Sequence, residues 1–280
     1  MKFDILNRWD GSVIVTADID TDSEDKSIQL GLAVRWAVKN KANLSDANLS
    51  DADLSDADLW NADMRNANLR NANLWNADLR NANLSDADLR NADLSDADMR
   101  NADLMNANLS DADMRNANLW NADLRNADMR NADLSDADLW NADMRNADLS
   151  DATLWNANLS DANLSDADLS DADLWNADMR NANLRNANLW NANLMNADLR
   201  NASGNMKHIK TMQIDGWPIS YTATVMQIGC QRYPIEKWRK FQDKTIDRMD
   251  SSALAWWKVW KPIIFQIIEA SPAEPTKDEQ

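Results

Sequence analysis

Residues 52–81 read ADLSD ADLWN ADMRN ANLRN ANLWN ADLRN, and this register decides the fold. An Ala stands at every fifth position from Ala42 to Ala202, and Leu or Met follows two residues after each one through Leu199. That makes 32 complete pentads, residues 42–201, in a chain of 280. The slots of a pentad hold Ala, then Asp or Asn, then Leu or Met, then Ser, Arg, Trp or Met, then Asp or Asn; Thr153 is the single exception. Such self-similarity outranks any residue-level reading of the fold.

The apolar slots are spaced alternately by two and three residues, which excludes an amphipathic helix. At 100° per residue, positions 0, 2, 5, 7 and 10 fall at roughly 0°, 200°, 140°, 340° and 280°, which is no stripe. A continuous strand fails too, because with a side-chain period of two the Ala and Leu pair would change faces at every pentad. A bend of constant size at each pentad removes the conflict. All Ala and Leu then point to one side and the chain coils, with coils stacked through backbone hydrogen bonds about 4.8 Å apart. The interior of this β-solenoid is filled by Leu44, Leu49, Leu54, Leu59 and their fivefold successors, Leu119 and Leu124 among them, backed by Ala42, Ala47 and so on.

The pattern Ala, Asp/Asn, Leu, x, x resembles the pentapeptide-repeat family over these 160 residues. The resemblance implies an all-β, right-handed quadrilateral solenoid with four pentads per coil, hence about eight coils. Some members of that family act as DNA mimics that bind type II topoisomerases, so it also implies DNA gyrase as an alternative partner.

Composition divides the chain at the same places. All Gly and Pro lie outside the tract, as do every Val, Ile, Phe, Tyr, Lys and Glu. The tract carries 30 Asp against 12 Arg, a balance of −18, while the flanks hold 16 acids and 17 bases; the net charge of −17 therefore belongs to the repeat. An acidic surface argues against direct binding to nucleic acid or anionic membrane, which relies on Lys and Arg. The menu is also narrow. Ser in the fourth slot is always followed by Asp, whereas Arg, Trp and Met there are always followed by Asn, and every third-slot Met sits in ADMRN. Natural repeats drift, so a tract assembled from so few cassettes reads as designed or very recently expanded; design is the favoured reading, and the expected function is a structural scaffold with no evolved ligand.

The flanks read as caps, because an open solenoid end exposes apolar side chains and unpaired strand edges. In residues 1–41, β-like runs at Lys2–Asn7 and Ser12–Ile19 surround Asp10-Gly11, and Lys26–Lys39 reads as a helix. In residues 202–270, runs at Lys207–Ile214 and Ile219–Ile228 surround Asp215-Gly216. Two helices follow, Pro234–Met249 and Ser252–Ala270; Pro234 suits a first turn, and Pro262 should kink or divide the second. Residues 271–280 are expected to be a disordered tail. LGLAVRWAVK (30–39), VMQIGCQRYPIEKW (225–238) and WWKVWKPIIFQIIE (256–269) are similar to the ends of bacterial or phage pentapeptide-repeat proteins.

Candidate chemistry is sparse. Identical carboxylates repeated along a surface define no unique pocket, and the glycines of calcium-binding solenoid loops are missing, so the aspartates read as a solvated surface and no metal or cofactor is expected. One Cys and one His permit neither a disulfide nor a histidine-based site. Cys230 is expected to be a buried structural thiol rather than a nucleophile, since the single histidine, His208, cannot be assumed to stand where it would activate the thiol; no catalytic residue is assigned. No signal peptide or membrane span is read, so a cytoplasmic (or recombinant soluble) protein is expected. Seven Trp occupy the outward fourth slot. With four pentads per coil, Trp120 and Trp140 become vertical neighbours on one face, and Trp155 and Trp175 on another. A tolerant outward slot that permits Ser, Arg, Trp or Met explains the tryptophans without selection; the alternative is contact between molecules, with Trp120, Trp140, Trp155 and Trp175 as the candidate surface contacts and self-association through them or the caps.

Overall fold

The computed structural model describes residues 1–250 and 252–276. Through the tract the chain forms one-residue parallel β-bridges at the second slot, and each partner lies twenty residues on, from Asn48↔Asn68 to Asn183↔Ser203. One turn of the coil therefore takes four pentads.

The pentad Ala117–Asn121 shows how the backbone is satisfied. The Ala117 N–H closes a turn on Met114 O (3.1 Å), and Asn118 N–H donates to Ala97 O of the preceding coil (2.9 Å). Leu119 and Asn121 donate to Asp138 O and Trp140 O of the following coil (2.7 and 3.0 Å). The remaining donor, Trp120 N–H, goes to the side chain of Asn118 (Oδ1, 3.1 Å). The same bond recurs from Ser45 to Asn43, Arg115 to Asp113, Trp140 to Asp138 and Arg200 to Asp198. The second slot is Asp or Asn because a short side-chain acceptor must meet that amide. The fifth slot is Asp or Asn for a different reason. It adopts the left-handed region in every pentad, φ 54–63°, where these are the side chains best tolerated after Gly.

Leu44, Leu49, Leu54, Leu59, Leu119 and Leu124 are wholly buried, as is Ala47; Ala42, first in the register, is half-buried. The third-slot methionines, such as Met64 and Met114, share the same interior. The fourth slot is not uniformly open. Ser85, Ser95, Ser110 and Ser160 are buried, and each stands between large residues one coil away on both sides: Arg65 and Met105, Trp75 and Arg115, Arg90 and Arg130, Trp140 and Arg180.

The N-terminal segment packs against the first coil. Strands β1 (Lys2–Leu6) and β2 (Val13–Asp18) form an antiparallel hairpin, followed by helix α1 (Lys26–Lys39), whose N-cap Asp25 accepts from Ser27 N–H (2.9 Å). Second-slot amides that lack a coil beneath them find these elements instead: Asn48 N–H donates to Leu6 O (2.8 Å) and Asp53 N–H to Ser27 O (3.1 Å). Gly31 lets α1 lie this close, since a Cβ there would stand 1.8 Å from Asp53 O. Ile5, Ala17, Ile19, Ala33, Val34 and Ala37 belong to the same buried cluster as the solenoid leucines.

The C-terminal segment is built differently. Strands β3 (Lys210–Ile214), β4 (Trp217–Tyr221), β5 (Val225–Ile228) and β6 (Gln231–Pro234) form an antiparallel meander, and helices α2 (Ile235–Lys240), α3 (Asp243–Asp247) and α4 (Ala253–Ala270) follow. Asp215 (φ 52°) and Gly216 make the two-residue hairpin turn. The segment has its own core, including Met226, Trp238, Trp257 and Ile264. It meets the last coil largely through polar side chains. Gln227 accepts from Leu199 N–H (3.3 Å) and donates to Asp198 Oδ1 (2.9 Å), and Ser220 Oγ donates to Leu199 O (2.8 Å). Beyond Ala202, which keeps the repeat register, Ile209 alone among the described residues of this segment is buried in the solenoid cluster.

Several expectations for this segment are corrected. The run Ile219–Ile228 is two paired strands rather than one, and β6 adds a fourth strand to the sheet. The helix expected over Pro234–Met249 breaks at Phe241 and Gln242, both extended, because Phe241 folds back on Tyr233 and Trp238 (ring centroids 5.0 and 5.3 Å). Pro234 ends β6 and caps α2 instead of lying in its first turn. Pro262 does not divide α4, which is anchored in one core before it by Trp257 and after it by Ile264, Phe265 and Ile268. The tail is not free from its start. Tyr221 Oη donates to Ser271 O (2.9 Å), Glu274 N–H donates to Lys207 O (2.9 Å), and Ala273 and Thr276 are buried. Residues 277–280 of that expected tail lie outside the described residues.

Truncating Leu119 to Ala should cost roughly 2–5 kcal/mol, the usual range for a core Leu, whereas Trp120→Ser, one residue on and 41% exposed, should change stability by less than about 1 kcal/mol. Denaturant midpoints of the two variants check this, and equal losses would contradict the inward and outward assignment.

Candidate functional site: the outer faces of the coil

Each face of the coil stacks one pentad per turn, so the outward side chains form columns with a step of twenty residues. Fifth-slot amides hydrogen-bond along their columns: Asn141 Nδ2 donates to Asn121 Oδ1 (2.8 Å), and Asn121 Nδ2 in turn donates to Asn101 Oδ1 (3.2 Å). Asn76 and Asn156 donate in the same way to Asp56 and Asp136 (2.7 and 3.0 Å). In each of these bonds the donor is the later coil's Asn, and where the earlier residue is an ionised Asp it can only accept.

Arginine completes the pattern. Ten of the twelve tract arginines follow a second-slot Asp and pair with it, as in Arg125 Nε to Asp123 Oδ1 (2.8 Å) and Arg90 NH2 to Asp88 Oδ2 (2.6 Å). The exceptions, Arg70 and Arg185, follow Asn68 and Asn183. Some forks also reach the next coil: Arg80 Nε lies 3.7 Å from Asp98 and Arg130 Nε 3.7 Å from Asp148. The Arg hydrogen bonds hold the carboxyls of Asp63, Asp78, Asp113, Asp123 and Asp128 below the usual carboxylate range, and the matching guanidiniums are raised. The Asp-x-Arg spacing was visible in the sequence, but an i, i+2 pair meets only once the bend between them is known.

Trp120 and Trp140 stack edge to face, with ring centroids 5.3 Å apart. Trp155 and Trp175 share another column one coil apart, Asn156 N–H donating to Trp175 O (3.0 Å). Trp120 and Trp155 are exposed, whereas Trp140 and Trp175 are half-buried. Trp140 Nε1 donates to Asp161 (3.1 Å) and Trp75 Nε1 to Asp96 (3.0 Å). Charge is unevenly spread. The face with Trp75, Trp155 and Trp175 holds eight Asp and only Arg115, a net −7, while the other three carry −3, −5 and −3.

Cys230 is exposed rather than buried, because Gly229 (φ 55°) and Cys230 form the tight turn between β5 and β6. His208 is the buried one; its Nδ1 lies 3.4 Å from Glu274 O. Among the described residues, no three His, Cys, Asp or Glu side chains converge as metal ligands, and no helix is long and apolar enough to cross a membrane.

A twenty-residue coil of Ala-Asx-Leu pentads is the architecture of one family. Its sequence profile, Pentapeptide repeats, matches eight copies spanning residues 47–201, and the chain belongs to this family, whose fold is the right-handed quadrilateral β-solenoid. Among solved structures, HetL, a pentapeptide repeat protein involved in heterocyst differentiation regulation in the cyanobacterium Nostoc, is 35% identical, with 56% of this chain and 78% of that one covered and a TM-score of 0.27. Rfr23 from the cyanobacterium Cyanothece is 36% identical over 36% and 63% of the two chains (TM-score 0.22). The plasmid-mediated fluoroquinolone resistance protein QnrB1 is 21% identical over 48% and 81% (TM-score 0.23). No curated protein sequence matches the chain significantly.

Thr153 marks the one pentad without Asp or Asn in the second slot. Thr153→Asn should supply an acceptor for Trp155 N–H and a donor toward Asp133 of the preceding coil, raising stability by about 0.5–1.5 kcal/mol; an unchanged denaturant midpoint would contradict this. A carboxyl whose pKa is lower folded than unfolded stabilises the fold above its unfolded value, near 3.9, and that contribution is lost as pH falls through the folded value. The Arg-paired carboxyls should therefore add an acid-side loss of stability that sets in below about pH 4. A variant with Asn at Asp63, Asp78, Asp113, Asp123 and Asp128 should lose less between pH 5 and pH 3 in chemical denaturation, and an unchanged slope would rule the pairs out as its source.

Proposed function

We propose that the chain is a non-enzymatic structural scaffold. Residues 42–201 form a rod of eight coils, residues 1–41 and 202–270 are caps that shield its ends from end-to-end association, and the tract is a designed one with no evolved ligand. The observation that carries this reading is the use already made of the outward slots. Second-slot side chains cap backbone amides, fifth-slot amides pair along columns, and ten arginines fold back on their own pentads. Little outward chemistry is left in a unique arrangement. A coding sequence assembled from a few degenerate codons would support the designed origin.

The acidic surface favours a second reading, a DNA mimic that binds a type II topoisomerase such as DNA gyrase. Eight coils at about 4.8 Å span about 38 Å, so a charge of −18 gives one negative charge per ~2.1 Å, close to one per ~1.7 Å for duplex DNA. Against it stand the uneven faces and the arginines scattered along the rod. A gyrase supercoiling assay separates the two. The scaffold reading expects no effect up to high protein concentration; dose-dependent inhibition, or protection from quinolone, would replace it with the mimic.

A further inference from the structure

Helix α4 is apolar on two sides. Its inner side, Trp257, Ile264, Phe265 and Ile268, packs into the core of the C-terminal segment. The outward side holds Ala255, Val259, Pro262, Ile263, Ile267 and Ala270, all exposed, with Gln266 the one polar side chain among them. Val259, Ile263 and Ile267, spaced by four, are 59%, 38% and 37% exposed, whereas α1 exposes only Ile28 among its large apolar side chains. A helix apolar all round belongs inside a larger packed structure. The described end of the chain does not supply the cover: Ser271 O accepts from Tyr221 Oη, whose ring belongs to the inner core, and Glu274 N–H donates to Lys207 O. Exposed charge is confined to one margin of this face. Lys258 and Glu269 are the exposed charged residues of α4, and eleven residues of separation put them within about 20° of each other around the helix. Lys258 Nζ lies 2.9 Å from Asp243, and Arg239 NH2 lies 3.0 Å from Glu269.

We propose that the outward face of α4 pairs with the same face of a second copy of this chain, the two helices running antiparallel about a two-fold axis at Ile263. Ile263 then meets its own counterpart, and Val259 meets Ile267 of the second copy. A two-fold axis of this kind keeps each margin on its own side, so Lys258 comes beside Glu269 of the second copy, and the reverse. Charges of alternating sign then run Asp243, Lys258, Glu269, Arg239 across the boundary, twice per dimer. A parallel pairing would set Lys258 against the margin of Trp256 and Trp260, where no acid waits, so charge selects the antiparallel one. The position on the molecule suits the contact as well. Residues 202–280 hold eleven bases against nine acids, while the tract carries −18, so two chains meet at the end where acidic rods repel least. The scaffold reading neither requires this pairing nor conflicts with it.

The test is the mass of the full chain by light scattering over a concentration series. One helix pair is a small interface, so a dissociation constant of about 1–100 μM is the expected scale, and the mass should rise from one chain to two across it. Ile263→Glu, which sets two like charges together at the axis, and Val259→Glu, at the most exposed position, should each weaken the dimer at least tenfold while the denaturant midpoint of dilute protein stays unchanged. Lys258→Glu and Glu269→Lys should each weaken it several-fold, and the two together in one chain should restore it. A mass of one chain throughout the series would overturn the proposal, as would a dimer that survives the glutamate variants, which would place the contact elsewhere, or a double charge exchange without rescue. A chain that stays monomeric but binds neutral phosphatidylcholine vesicles, and loses that binding with Val259→Glu, would assign the face to a lipid surface instead. Val259→Glu decides the matter even where Ile263→Glu does not fold.

Discussion

The solenoid depends on one hydrogen bond, from the fourth-slot N–H to the second-slot side chain. In the pentad Ala117–Asn121 the other amides bond to the preceding coil, to the following coil or across the turn, and only Trp120 N–H has to be met by a side chain. Close packing of leucines supplies the larger free energy, roughly 1.5–3 kcal/mol for each buried side chain, but it would tolerate other bends. The Asx acceptor selects this one, and the αL residue that follows completes it. Because that acceptor sits on the bridge position itself, its column lies against the inter-coil bonds, and arginine can fork onto it without leaving the pentad.

Much of this was legible in the sequence, and the limits are physical. The five-residue register separates inside from outside because Leu119 and Ala117 have no alternative face to occupy. The four pentads per coil are not encoded in period; they follow from the size of the bend, which reports itself only in the twenty-residue bridges. Burial of Ser110 was beyond a slot-by-slot reading, since it is decided by Arg90 and Arg130 one coil away in either direction. In the C-terminal segment, where no repeat averages out local ambiguity, a proline at 262 and a thiol at 230 were read by local rule and corrected by tertiary context. The cluster of Trp217, Trp238, Trp256 and Trp257 could not be read from sequence at all, because β4, α2 and α4 bring it together.

The two ends solve the same problem with different materials. At the start, hairpin and helix residues merge into the leucine column, so the first coil and its cover form one hydrophobic cluster. At the finish, the sheet keeps a core of its own and touches the last coil through Gln227, Ser220 and Arg232, with Ile209 as the apolar plug. A polar junction of this kind costs less to separate than a shared core, so the C-terminal segment and the rod are closer to independent folding units than the N-terminal hairpin and the rod.

Because one pentad is a quarter of a coil, chain length acts as a dial on the geometry of the ends. Removing twenty residues shortens the rod by about 4.8 Å and returns the C-terminal sheet to the same bearing. Removing five turns it by about a right angle while leaving every inter-coil bond type in place. A tract of interchangeable pentads is thus an indexed shaft, able to present two folded heads at any of four orientations with the separation adjusted independently.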